Sequence, residues 1–184
     1  MLLRHAKSAW PENVPDRDRP LSPRGRRDAP AAGRWLRQAG CTPDDVRCST
    51  SRRARETWQL VQGELGAQPA VVFEPDVYEA STSSLLDLLR RLPSASVTVL
   101  VVGHYPALPD LAVVLAGQNA ADSREVSGLA PGTALGRMQA KFPTAAIAVL
   151  AVDGPWSELA AGRALLTSFV TPREKYRGDR GQLA

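Results

Sequence analysis

Two histidines make up the whole imidazole complement of the chain, and each follows an apolar run. His5 comes after Met1-Leu2-Leu3-Arg4, and His104 after Val97-Thr98-Val99-Leu100-Val101-Val102-Gly103. Such runs read as buried strands, and open α/β sheets bind ligands beyond the carboxyl ends of their strands. Two imidazoles aimed at one crevice suggest a site. A histidine there can act as a nucleophile toward phosphorus when one ring nitrogen is neutral and a partner fixes the other. Arg4, beside His5, offers planar donors for the oxygens of an anion.

A third cluster, Cys48-Ser49-Thr50-Ser51-Arg52-Arg53-Ala54-Arg55-Glu56-Thr57, lies between a short strand and a helix. A helix N-terminus presents unpaired N–H groups and the positive end of a dipole, which suits an anion. Successive helical residues point about 100° apart, so only one of Arg52 and Arg53 should face it. In the His104 segment, Gly103 would let backbone approach a ligand closely, and Pro106 suits the start of the next helix. Each motif alone is weak; their conjunction at the ends of strands of one sheet is what points to a phosphate site.

The elements that must position these residues alternate. Strands are expected at Met1–Arg4, Val46–Ser49, Ala70–Phe73, Ser96–Val102, Thr144–Val152 and Ala164–Val170, with Ser96–Val102 central because its run is apolar throughout. A first strand this short implies either a chain start lacking a few residues or a stubby strand. Helices are expected from Ser22-Pro23 to Gly40, Arg52–Leu65, Ser83–Leu92 and from Pro106 to Leu115, with Ser22 as N-cap and glycines as stops. Ala6–Pro20 and Glu74–Ser81 read as loops, and Gly117–Gly132 as a mobile excursion. The expected fold is a three-layer α/β/α domain over residues 1–172, with a mainly parallel central sheet, helices on both faces and a polar tail from 173 to 184.

Size and composition set further bounds. The 184 residues suit one domain, and 43% hydrophobic and 23% charged residues are ordinary globular usage. No apolar stretch is long enough to span a membrane and no secretory signal is visible, so a cytoplasmic location is expected. Cys41 and Cys48 form no CxxC pair and read as ordinary thiols. The net charge of +4 and a pI of about 9.5 are compatible with an acidic partner. Without a basic stripe interleaved with aromatics, nucleic-acid binding is disfavoured.

The ordered set of motifs resembles the histidine phosphatase superfamily, and within it the SixA-like phosphohistidine phosphatases. The matching residues are Leu3-Arg4-His5-Ala6-Lys7-Ser8, Asp18-Arg19-Pro20-Leu21-Ser22-Pro23-Arg24-Gly25, Ser49 through Arg53-Ala54 to Thr57, and Val102-Gly103-His104. Phe142-Pro143-Thr144-Ala145-Ala146 and Phe169-Val170-Thr171-Pro172-Arg173 extend the similarity to nearly the whole chain. Ala6 stands where the commoner pattern has glycine, which favours the SixA-like branch over sugar-phosphate mutases.

The resemblance implies a histidine phosphatase/phosphoglycerate mutase-like fold and in-line attack by His5 to give a phosphohistidine, which water then hydrolyses. Arg4, Arg53 and His104 would hold the three equatorial oxygens. Arginines and a protonated His104 would supply the positive charge, so no metal or other cofactor is implied. The implied partner is a phosphohistidine-bearing protein. The alternative is a small phosphomonoester or nucleotide, with Glu79 as general acid. An alkoxide leaving group needs a proton, whereas the imidazole of a phosphohistidine departs readily, so a weak or absent acid would be tolerated for the first substrate. Asp16 and Asp18 are the other candidate acids, with Asp18 also a candidate holder of Arg19 or Arg24. A third reading is a non-catalytic phosphate-binding module.

Overall fold

A computed structural model describes residues 1–117 and 133–172. Its strands are β1 (Leu2–Arg4), β2 (Asp45–Ser49), β3 (Ala70–Glu74), β4 (Val99–Gly103), β5 (Ile147–Val152) and β6 (Ala164–Val170). Its helices are α1 (Pro23–Gln38), α2 (Arg52–Leu65), α3 (Thr82–Arg90), α4 (Ala107–Ala116) and α5 (Thr133–Ala140). The sequence reading of an excursion after Gly117 and of a polar tail from 173 lies outside the described residues, apart from Gly117 itself.

The strands form one sheet in the order β3-β2-β4-β1-β5-β6. The first four are mutually parallel. β5 runs against both β1 and β6, so it alone is reversed and the sheet is mixed. Strand alternation splits the apolar residues between two faces. Leu3, Val46, Leu100 and Val102 meet Leu36 of α1 and Trp58 and Val61 of α2 on one side. Leu2, Val99, Val101 and Leu166 meet Leu85 of α3, Leu108 and Leu111 of α4 and Met138 of α5 on the other. The expected α/β/α layering follows from these two cores.

Local chemistry sets the boundaries. The Ser22 hydroxyl accepts from the Gly25 N–H, the expected N-cap of α1, and Gly66 ends α2 in the left-handed region. Ser81 and Ser84 form a reciprocal capping box, which starts α3 at Thr82. β4 begins three residues later than the apolar pattern suggests. The Asp44 carboxylate takes the N–H groups of Val97 and Thr98, and those two residues stay out of the ladder. β5 likewise begins at Ile147, because Thr144 and Ala145 form a turn in which Ala145 adopts φ +60. α1 and α2 approach so closely that a Cβ on Gly33 would overlap the Val61 carbonyl.

Candidate active site

Strand register brings the two histidines together. Arg4 of β1 pairs with Gly103 of β4, so the residues after them emerge side by side. The His5 N–H donates to the Gly103 carbonyl (3.0 Å). The two imidazole centroids lie 5.1 Å apart.

His5 is 8% exposed. Its Nδ1 lies 2.7 Å from the Ala6 carbonyl oxygen. A carbonyl only accepts, so Nδ1 carries the proton and Nε2 keeps its lone pair. Burial, and then the neighbouring His104, push the His5 imidazole down to about 3, with Arg53 and Arg4 acting in the same direction. The ring is therefore neutral at physiological pH, the state a nucleophile needs. The turn carrying it is tied to α2: the Ala6 N–H donates to Thr57 Oγ1 (2.9 Å), and that hydroxyl donates to the Arg53 carbonyl (2.6 Å). Ala6 itself is fully buried with Leu21, Ala29 and Ala145.

Arg4 is anchored by Nη1, which donates to the Phe142 carbonyl (2.6 Å), and its guanidinium lies over the Tyr105 ring at 5.2 Å. Its buried Nε has no hydrogen-bond partner. The Phe142–Ala146 segment thus has a job. Ala145 N–H also closes on the Arg4 and His5 carbonyls, at 3.1 and 3.2 Å.

Arg53, not Arg52, faces the site. Arg53 is 7% exposed, whereas Arg52 pairs with Glu56 on the surface (2.8 Å). Arg53 is held by Asp16, through Nη1 to the backbone carbonyl (2.6 Å) and Nη2 to Oδ2 (2.9 Å). The same carboxylate accepts from Arg19 (2.7 Å) and from the Tyr78 hydroxyl (2.9 Å). Burial raises the Asp16 pKa, but hydrogen bonds from Arg19, Tyr78 and Arg53 outweigh it and hold the carboxyl at about 2. Asp16 is thus an ionised clamp, and a poor proton donor.

The free site departs from the sequence expectation at His104. Burial, then the Arg53 charge, push that imidazole down to about 4, so it is neutral rather than protonated. Arg53 Nη2 approaches His104 Nδ1 (3.5 Å) and can only donate, which leaves the ring proton on Nε2, 2.8 Å from Ser49 Oγ. A phosphoryl dianion beside Nδ1 would reverse this preference by favouring the charged ring. Tyr78 sets its ring edge against His104, with centroids 5.6 Å apart.

The candidate acids fare differently. Glu79 sits exposed at φ +57, and no hydrogen bond or ion pair among the described residues joins it to His5, Arg4, Arg53 or His104. Asp18 is exposed and does not hold Arg19 or Arg24. Arg19 is gripped by Asp16, Ser8 and the Ala9 carbonyl, and Arg24 pairs with Asp28. Gly103 also has a different role from the one expected. A Cβ there would press on Val77 at 3.1 Å and Leu108 at 3.4 Å, so the constraint is packing rather than ligand approach.

Sequence reasoning missed Ser49 as the His104 partner and the Asp16–Tyr78 clamp on Arg53. The buried Ser49 hydroxyl at a strand end was the available signal; the clamp spans loops far apart in sequence and left none. Cys48 is buried and its thiol is pushed up to about 12 by burial, which makes it inert. No group of three or more His, Cys, Asp or Glu residues among the described residues is placed to hold a metal ion. No described helix is long and apolar enough to cross a membrane.

Comparison with known proteins agrees with this geometry. A family model of the histidine phosphatase superfamily (branch 1) matches residues 1–90. An uncharacterised protein of Mycobacterium tuberculosis is 39% identical over 171 residues, covering 93% of this chain and 100% of that one. A solved structure from Nakamurella multipartitia, designated phosphohistidine phosphatase SixA, is 33% identical with a TM-score of 0.76, covering 93% of this chain and 95% of that one. Its counterpart from Agrobacterium tumefaciens, with the same designation, is 26% identical with a TM-score of 0.74, over 93% and 96% of the two chains.

Proposed function

We propose that this chain, which belongs to the histidine phosphatase superfamily and is a SixA-like phosphatase, hydrolyses phosphohistidine on a protein through a covalent phosphoryl intermediate on His5. One observation carries this reading: His5 is buried and neutral, with its Nδ1–H committed to the Ala6 carbonyl and Nε2 left as the only lone pair. Arg4, Arg53 and His104 surround it.

The Nε2 lone pair forms the new P–N bond as the bond from phosphorus to the substrate imidazole breaks. The electron pair leaves with that imidazole nitrogen, which takes a proton from solvent. The phosphorylated His5 ring is cationic, and the Ala6 carbonyl stabilises its Nδ1–H. Water then attacks phosphorus, the bond to His5 breaks, and inorganic phosphate departs with His5 neutral again. Arg4, Arg53 and a protonated His104 hold the equatorial oxygens through both steps. The positive charge comes from the chain itself, so the reaction needs no metal.

The disposition of carboxylates supports this substrate over a phosphomonoester. Asp16 is locked as an anion on three donors, and Glu79 is exposed, with no hydrogen bond or ion pair to His5, Arg4, Arg53 or His104 among the described residues. A leaving group that needs little protonation suits a site so arranged.

The test is a brief incubation with labelled phosphoramidate or a phosphohistidine peptide, followed by quenching. Wild type should carry an acid-labile, alkali-stable label, and His5→Ala none. An equal label on His5→Ala, or a wild type that turns over alkyl phosphates as well as phosphohistidine peptides, would overturn the proposal.

A further inference from the structure

The chain has three tyrosines, and the two that are described both rest on side chains that surround His5. Tyr78 sets its ring edge against His104, and the Arg53 guanidinium carbon lies 5.8 Å from its ring centroid. Its hydroxyl is committed to Asp16, so Tyr78 belongs to the clamp on Arg53. Tyr105 is placed differently. It directly follows His104, its ring centroid lies 5.2 Å from the Arg4 guanidinium carbon, and it is 60% exposed.

Both ends of that contact are fixed. The Leu108 N–H donates to the His104 carbonyl and the Asp110 N–H to the Pro106 carbonyl, each at 3.1 Å, so the turn carrying Tyr105 is bonded into the start of α4. Arg4 is held by the Phe142 carbonyl (2.6 Å) and presents its guanidinium to the ring. A tyrosine has only two side-chain torsions, so an exposed ring supported in this way loses little freedom when a ligand covers it. In-line transfer puts the leaving group opposite the attacking nitrogen. His5 is buried, so that group points out of the core, to the side on which Tyr105 is exposed.

We propose that Tyr105 determines specificity for the leaving group: its ring, steadied on Arg4, stacks on a planar ring bonded directly to the phosphoryl group, as the imidazole of a phosphohistidine is. The inference rests on the reading of His5 as phosphoryl acceptor. It makes selection a matter of shape. A phosphoryl group on an imidazole or aryl ring gains a contact that one on ammonia or an acyl group lacks. Stacked ring pairs of this kind shift an equilibrium about three- to tenfold.

Tyr105→Ala removes the ring, and Tyr105→Phe keeps it without the hydroxyl. The kinetic arm measures kcat/KM for two pairs of substrates, phosphoimidazole with phosphoramidate and p-nitrophenyl phosphate with acetyl phosphate. Each pair sets a ring-bearing leaving group against one without a ring. Tyr105→Ala also unstacks Arg4, and the ratio within a pair cancels that common loss. The ring-bearing member should lose about three- to tenfold more than its partner in Tyr105→Ala, and Tyr105→Phe should restore the ratio. The binding arm measures dissociation constants of phenylphosphonate and methylphosphonate, and the preference for the phenyl compound should shrink by the same factor in Tyr105→Ala. Equal losses within each pair, with the phenyl preference unchanged, would show that Tyr105 only orients Arg4 and overturn the proposal. So would a Tyr105→Phe variant as impaired as Tyr105→Ala. A wild type that turns over only the oxygen-linked pair would instead overturn phosphohistidine as the substrate, while that pair and the phosphonates still test Tyr105.

Discussion

Replacing Asp16 by Asn keeps its size and removes its charge, which separates two roles the residue could have. The carboxylate accepts from Arg53, Arg19 and Tyr78 at 2.9, 2.7 and 2.9 Å. The backbone bond from Arg53 Nη1 to the residue 16 carbonyl survives the change. A hydrogen bond to a charged group contributes about 1.5–3 kcal/mol. The Asp16 side chain is 49% exposed, and solvent screening brings the clamp on Arg53 to about 1–1.5 kcal/mol. At about 1.4 kcal/mol per factor of ten, kcat/KM should fall about five- to tenfold. The loss should be the same for phosphoramidate, p-nitrophenyl phosphate and an alkyl phosphate, because an orienting anion is indifferent to the leaving group. The inhibition constant of inorganic phosphate should rise by a similar factor. A loss that grows with leaving-group basicity would make Asp16 the proton donor, and a loss below twofold throughout would show that the clamp does not position Arg53.

Both imidazoles should resist protonation: their ring C–H resonances should stay flat from pH 8 to 5, and a titration near 6.5 in either would contradict the burial argument. Their folded pKa values lie below the unfolded value, so the unfolded chain binds more protons and these residues should cost stability as pH falls below about 6.5; urea midpoints against pH would show it. Saturating phosphate should raise the His104 pKa, visible as proton uptake on binding. Thr57→Val leaves the buried Ala6 N–H unpaired and should cost about 1–3 kcal/mol in urea unfolding; unchanged stability would mean the backbone finds another acceptor. Gly33→Ala forces α1 away from α2 and should cost about 1–3 kcal/mol, read as a lowered Tm.

Residues whose role depends on local pattern were legible from sequence. α2 and β6 occupy the expected spans, Ser22 caps α1, and only one of Arg52 and Arg53 turns inward, as helical spacing requires; it is Arg53, the one the family resemblance implied. His5 and His104 meet because both follow strands of one parallel pair. What escaped was decided by contacts with no local signature. Asp16 reaches Arg53 and Tyr78 from a loop without periodicity, so the sequence offered its carboxylate as a candidate general acid and not as a clamp. The neutral state of His104 depends on burial and on Arg53, neither of which adjacent residues reveal. The turn before β5 holds Ala145 at a positive φ, a conformation that alanine seldom adopts and that the sequence does not signal.

The pairing of Arg4 with Gly103 carries a consequence for how such a protein can diversify. The distance between the two imidazoles is a property of a hydrogen-bonded ladder, two residues from the sheet's buried centre, and not of any loop. Insertions or exchanges after Lys7, after Glu74 or beyond α4 leave that spacing untouched, whereas a slip of one residue between β1 and β4 would send one ring to the opposite face. The spacing of the two rings is therefore written apart from these loops, although the loop after Lys7 also carries Asp16 and the one after Glu74 carries Tyr78, which together position Arg53. Grafting a loop from a relative should change which molecules are accepted while the phosphoryl-transfer pair stays in register.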